Sequence, residues 1–269
     1  MRKSRGGLPL SRTVLWGSGA MLAAVVGLTG YAALAGHDDV PAARHAGPAS
    51  TSSPPAATTA PQPAPTYSVP PTWTEPERWL AAPRGARKAA NGRETGFPNT
   101  TDGAIGMMVA ASAMDVEGSG TLAEQQLAVY SAYMAPADQS PTAEAKVRQG
   151  AERADAATRR ALGLPESGPL PGGAFMRTVM IGVKPIQVTP AQVTAYVLMN
   201  VTDKAGETAA EKTVYSVGIL GAVWQDGDWK LSGQAIKDAA AQADRKPPIA
   251  APGDAAFNAA GWTAIRQAS

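Results

Sequence analysis

The fold class is decided by residues 213–231, TVYSVGILGAVWQDGDWKL. In this stretch Val217, Ile219 and Val223 fall on one face with a period of two, which is typical of a β-strand with one buried side. The polar run from Gln225 to Asp228 contains Asp-Gly, a preferred sequence for a two-residue hairpin turn. The stretch therefore predicts an antiparallel hairpin whose return strand begins just after the turn.

The same alternation occurs in two earlier segments. Residues 175–188 show it first, and residues 193–201 repeat it after a break at Thr189 and Pro190. Long strands joined by short polar turns indicate an antiparallel meander with helices packed on one face. We therefore predict a curved sheet of four antiparallel strands.

Three helices are predicted before this sheet because each has a start signal. Asn99 or Thr100 can cap the first helix, and Thr121-Leu-Ala-Glu124 has the pattern of a capping box for the second. Ser140 followed by Pro141 is an N-cap with proline at the first helical position, which starts the third.

A last helix is predicted over residues 254–265, where Phe257, Trp262 and Ile265 would dock back on the fold. The predicted fold class is therefore α+β. Three N-terminal helices lie on a curved four-stranded antiparallel sheet, a C-terminal helix follows, and the globular domain covers residues 99–269.

The N-terminus has the pattern of a membrane-targeting segment. Residues 1–13 hold four basic side chains and no acidic one, and residues 14–35 are uncharged. A stretch of about 22 residues is long enough to span a bilayer, and the positive-inside bias keeps the N-terminus in the cytoplasm. The competing interpretation is a signal peptide cut after Ala35, because Ala33-Leu-Ala35 has the small-x-small form. We expect a single-pass cell-membrane protein with its C-terminal domain outside, or a secreted one in the second case.

A low-complexity linker follows over residues 36–72, and nine of the 33 residues from Val40 to Thr72 are proline. Such a segment forms no core; it is either an extended polyproline stalk or a disordered tether. A transitional segment over residues 73–98 then carries Trp73 and Trp79, which we expect to lie along the domain surface as docking anchors.

Charge and residue usage exclude several functional classes. The chain has 24 basic and 22 acidic residues, and four of the basic ones precede residue 14, so the exported part has no basic excess that would indicate nucleic-acid binding. Cysteine is absent, and the two histidines, His37 and His45, lie in the linker. The domain therefore lacks the side chains of Ser-His and Cys-His nucleophiles and of histidine-containing metal sites, and we expect no cofactor and no metal.

Carboxylate chemistry is the alternative that the composition leaves open. Asp102, Asp115 and Glu117 lie near the first helix, and Asp115 beside Tyr130 is the best candidate for a desolvated catalytic carboxylate. Capping and solvation of these carboxylates is the simpler interpretation. Trp224 and Trp229 flank the predicted turn as hairpin anchors and, with Trp73 and Trp79, are the candidate interaction residues.

The whole pattern resembles a known exported fold. Helices followed by a curved sheet that closes with Trp224-Gln-Asp-Gly-Asp-Trp229 are similar to the cone-shaped nuclear-transport-factor-2-like domains. The basic N-terminus, the single span, the proline-rich linker, Gly96-Phe-Pro98 and the ending Pro252-Gly-Asp254 to Trp262 resemble bitopic accessory proteins of actinomycete conjugation elements, TcpC-like and VirB-type. These motifs are structural, and fold likeness alone does not establish function.

The resemblance implies a scaffold subunit with no enzymatic activity, whose partners are other envelope proteins or further copies of itself. We therefore expect a membrane-anchored extracytoplasmic interaction module of a conjugation or secretion apparatus. The alternative is a cone-shaped small-ligand-binding protein or carboxylate-dependent enzyme, which needs a deep pocket with an acidic residue at its base.

Overall fold

The structure, a computed structural model, describes residues 72–242 and 246–267. Its centre is one curled sheet of seven strands in the described part of the chain, ordered β1-β9-β5-β6-β7-β8, with β4 also paired to β5. The strands of this sheet are β1 Trp79–Ala82, β4 Met114–Glu117, β5 Ala174–Val188, β6 Gln192–Ala205, β7 Lys212–Gln225, β8 Asp228–Leu231 and β9 Thr263–Gln267. A separate two-stranded hairpin is formed by β2 Arg87–Lys88 and β3 Glu94–Thr95.

Five α-helices accompany the sheet among the described residues: α1 Thr101–Ser112, α2 Leu122–Tyr133, α3 Pro141–Leu162, α4 Gly233–Gln242 and α5 Ala255–Ala259. The first three helices begin at the predicted N-caps. The Thr100 hydroxyl accepts from the Gly103 backbone N–H, Thr121 and Glu124 form a reciprocal capping box, and Ser140 caps α3. Each cap satisfies a backbone N–H that the helix itself leaves without a partner.

Strand β5 changes its neighbour half-way along its length. Its first part pairs antiparallel with β4 from Phe175 to Thr178, whereas Gly182 and Val183 pair with β9. The register shifts between Met180 and Gly182, which marks a β-bulge, and a bulge bends a strand and re-aims its side chains. The bulge therefore lies between the part of β5 that pairs with β4 and the part that pairs with β9, and it contributes to the curl of the sheet.

Each face of the sheet is covered over part of its area. On one face α1 and α2 pack their side chains against the inward residues of β5, β6 and β7, with Met107, Met108, Met180 and Met199 all buried there. On the other face, Phe257 and Trp262 of the C-terminal segment are fully buried against β6 and β7. Gly182 makes room for this second layer, since a Cβ there would lie 3.3 Å from the Phe257 ring.

The predicted four-stranded antiparallel sheet under three N-terminal helices is wrong. The chain is α+β, but its sheet has three further strands (β1, β4 and β9), and it is mixed because β1 pairs parallel with β9. Strand β4 also interrupts the predicted run of helices. Its four residues alternate between buried and exposed. In the sequence, an alternation over only four residues does not distinguish a strand from a continuation of α1.

The predicted C-terminal helix over residues 254–265 is also wrong. Only α5 is helical, and Gly261 then takes a positive φ of 77°. This left-handed conformation ends the helix, and the chain continues as β9. Trp262 and Ala264 are buried because they share one face of an extended strand.

The predicted membrane span at residues 14–35, and the linker up to residue 71, lie outside the described residues. Within residues 72–242 and 246–267, no helix combines the length and apolar character needed to cross a bilayer.

Candidate interaction surface

Two of the four candidate tryptophans form one exposed patch where the described chain begins. The indole N–H groups of Trp73 and Trp79 each donate to a different carboxylate oxygen of Glu75, both at 2.9 Å. Trp73 is 36% exposed and Trp79 is 41% exposed. We call Trp73, Glu75 and Trp79 the tryptophan patch.

The tryptophan patch is held in place by the C-terminal segment. The Thr74 backbone N–H donates to the Gly253 carbonyl at 2.8 Å. The Asn258 side chain donates to the Glu75 carbonyl at 2.9 Å and accepts from the Glu77 N–H at 3.0 Å. The Trp73 ring packs on Gly253, where the φ of 104° and the absence of a Cβ are both required. These contacts fix the position of the tryptophan patch against the C-terminal segment.

Trp79 also belongs to an edge of the sheet. It lies in β1, the terminal strand, and pairs with Ala264 of β9. In the described part of the chain no strand pairs with the other side of β1. Edge strands present unpaired backbone N–H and C=O groups. The tryptophan patch therefore adjoins backbone groups that can bind an extended chain.

The other two tryptophans have mainly a structural role. Trp229 is 1% exposed, and its indole N–H donates to the Pro98 carbonyl at 2.9 Å. Its ring meets that of half-buried Trp224 edge-to-face with the centroids 5.4 Å apart. Asp226 and Gly227 both have positive φ in the turn between them, as a type I′ hairpin turn requires. The Trp224–Trp229 pair stabilises the hairpin and leaves little exposed surface for a binding partner.

The candidate carboxylates are not brought together. Asp115 is exposed on β4 and pairs with Arg177 at 3.1 Å. The Tyr130 hydroxyl accepts from the Ser140 N–H at 2.8 Å and donates to the Ser140 carbonyl at 3.2 Å, so it connects α2 to the start of α3. Asp102 lies exposed in the first turn of α1, and Glu117 is exposed at the end of β4.

A different carboxylate is buried. Asp203 is 1% exposed in β6, and burial raises its pKa to about 6 although Lys212 lies nearby. It borders a hollow of about 20 Å³ that Thr158 and Thr178 also line, which has room for about one water molecule. The sequence held a signal for this residue, because Asp203 continues the inward alternation of Val197, Met199 and Val201.

A second hollow, of about 220 Å³, lies between the β2–β3 hairpin and α1. Arg93 reaches into it and donates to the Ala113 carbonyl at 2.9 Å and to Gln125 Oε1 at 2.7 Å. Burial lowers the pKa of this guanidinium, and burial also raises the pKa of the neighbouring Tyr133 to about 12. Arg93 thus satisfies the carbonyls at the end of α1, and Tyr133 is a neutral phenol there.

Side chains that bind metals are not grouped in the described ranges. These ranges hold no group of three or more His, Cys, Asp or Glu side chains that could bind a metal ion. A deep ligand pocket would have to lie between the helices and the sheet. Buried methionine and valine side chains fill that space. Comparison with known proteins gives no match to any family model, curated protein or solved structure.

Proposed function

We propose that this chain is a membrane-anchored extracytoplasmic interaction module without enzymatic activity of its own, and that it serves as a scaffold subunit of a conjugation or secretion apparatus. Residues 14–35 are the proposed anchor and residues 36–72 the spacer. Envelope proteins are the proposed partners. The observation that supports this proposal best is the tryptophan patch beside the free edge of β1.

Three properties of the patch favour protein binding. Tryptophan is among the residues most enriched at the energetic centres of protein interfaces, because it buries a large area and still offers an N–H donor. Both rings are oriented by Glu75, so little side-chain freedom remains to be lost on binding. The adjacent edge of β1 can pair with an extended segment of a partner, which is a common mode of peptide recognition.

The test is site-specific crosslinking in intact cells that express the full chain. The double variant Trp73→Ala/Trp79→Ala is compared with Val179→Ala/Val188→Ala, which shortens two exposed apolar side chains of β5 outside the patch. We expect a crosslinked envelope protein with the wild type and the valine control and its loss with the tryptophan variant. Equal crosslinking by all three chains, or no envelope partner for the wild type, would refute the proposal.

A further inference from the structure

The hollow between the β2–β3 hairpin and α1 has the features of a small binding site. Its volume is about 220 Å³, and the side chain of Arg84 at its rim is 63% exposed. For comparison, an apolar protein cavity of about 150 Å³ binds benzene, which has six non-hydrogen atoms. At that ratio the hollow has room for about eight non-hydrogen atoms, enough for an aromatic ring with one small substituent.

Most of the lining of this hollow is apolar and belongs to regular elements. Helix α1 contributes Gly106, Val109 and Ala110, and the chain leaving β1 contributes Ala82 and Pro83. The two segments are in close contact, because a Cβ at Gly106 would overlap the Pro83 carbonyl oxygen. Ligand sites in proteins are typically preformed concavities of this kind, with few polar groups among apolar ones.

One buried polar group at the hollow has no partner. Tyr133 is 1% exposed, and its hydroxyl makes no hydrogen bond within the described part of the chain. Burial is the main cause of its raised pKa, and the charges of Arg93, Glu94 and Asp228 also affect this pKa. Arg93 and Glu94 line the hollow together with Tyr133, so the hydroxyl end of the ring lies toward it. A ligand that hydrogen-bonds to this hydroxyl would satisfy a group that folding has removed from water.

The charged side chains at the hollow already have partners, which favours a neutral ligand. The Nη groups of Arg93 make four hydrogen bonds, to the carbonyls of Ala110, Ala113 and Gln125 and to Gln125 Oε1. Glu94 accepts from the Gly85 N–H at 3.3 Å and lies 3.7 Å from Arg84. A charged ligand would have to break these interactions or lose its hydration without a counter-charge, and either is costly.

We propose that this hollow binds a neutral, compact group of about eight non-hydrogen atoms, with an apolar ring that packs on Val109 and Ala110 and one hydroxyl or carbonyl that hydrogen-bonds to Tyr133. A free small molecule has this chemistry, and so does the side chain of a partner's tyrosine. The site goes beyond the proposed function, because none of the residues of the tryptophan patch lines it.

The test uses benzyl alcohol as the probe and toluene, which lacks the hydroxyl, as its matched control. Each is titrated into the full-length chain in detergent, and the alanine and valine methyl groups are observed by NMR. We expect benzyl alcohol to shift the methyl resonances of Val109 and Ala110 with a dissociation constant on the order of 1 mM. The resonances of Val179, an exposed residue of β5, should not shift.

Two variants examine the polar and the apolar part of the site separately. Tyr133→Phe should weaken benzyl alcohol binding roughly three- to tenfold and leave toluene binding unchanged, because it removes only the hydrogen bond. It should not lower the stability of the domain, since the hydroxyl has no protein partner to lose. Ala110→Leu fills the hollow and should abolish the binding of both probes, whereas Ala145→Leu, the same change at an exposed position of α3, should not.

The absence of a saturable shift at Val109 and Ala110 overturns the proposal, as does equal affinity of benzyl alcohol for the wild type and Tyr133→Phe. In-cell crosslinking of Ala110→Leu then distinguishes the two sources of the ligand. Loss of the envelope partner indicates a partner's side chain in the hollow, and unchanged crosslinking indicates a free small molecule. Because probe binding requires no envelope protein, this inference and the proposed function can fail separately.

Discussion

Replacing Asp203 with Asn tests how much the burial of this carboxylate destabilises the domain. Asp203 is 1% exposed, its Oδ2 has no hydrogen-bond partner among the described residues, and Lys212 faces it across the β6–β7 pair. Burial raises its pKa from the ordinary 3.8 to about 6. The folded state therefore holds this proton more tightly than the unfolded state does.

The sign of the pH dependence follows from this difference. Below about pH 4 the carboxyl is protonated in both states and burial has no electrostatic cost. As the pH rises through about 6, the folded state loses stability because it must ionise a buried group that the unfolded chain ionises more easily. A shift of about 2 pKa units corresponds to roughly 3 kcal/mol, all of which is lost by about pH 7.

Asparagine has nearly the same shape and stays neutral. We therefore expect Asp203→Asn to increase the free energy of unfolding by up to about 3 kcal/mol at pH 7.5 and to change it little near pH 4. Urea unfolding, followed by tryptophan fluorescence at both pH values, measures the difference. Asp115→Asn is the control, because it makes the same change at an exposed ion pair, which contributes only about 0–1 kcal/mol.

Two results would contradict this prediction: a difference between Asp203→Asn and the wild type that is independent of pH, or a variant that is less stable than the wild type at pH 7.5. A pH-independent difference would mean that Asp203 titrates alike in the folded and unfolded chain. A less stable variant would mean that the carboxylate is compensated by Lys212 more strongly than its burial penalises it.

Two further predictions concern packing and capping. Phe257→Ala should lower the free energy of unfolding by about 3–5 kcal/mol, since the ring is fully buried against β5 and β6; a loss below about 1 kcal/mol in urea unfolding would contradict this packing. Thr121→Ala should lower it by about 1 kcal/mol, because the backbone N–H of Glu124 loses its partner. The same measurement on Thr142→Ala, an exposed threonine in α3, is the control and should show a smaller change.

Local signals predicted the elements that are long or capped. Three helices begin at the expected N-caps, which are Thr100, Thr121 (with Glu124) and Ser140. These caps are predictable because the cap side chain binds a backbone N–H only three residues later in the sequence. The alternating segments became β5, β6 and β7 for a similar reason, since each spans about 14 residues and a period of two is clear at that length.

The remaining elements depend on partners that are distant in the sequence. β1 has four residues and becomes a strand by pairing with β9, near the other end of the chain, and nothing in either segment predicts that pairing. The candidate tryptophans show the same limit. Trp229 and Trp79 both lie in short strands, yet only the tertiary structure buries the first under Pro98 and leaves the second exposed.

The described chain begins and ends on neighbouring strands, and this determines which bonds would carry mechanical load. Tension along the chain before Thr72 would reach Thr74 and Glu75 first, and these residues are held by Gly253 and Asn258. The end of the described chain therefore holds its beginning in place. A chain cut short before Gly253 would lose both this clamp and the pairing of β1 with β9, so it could not transmit a pull from a tether into the sheet.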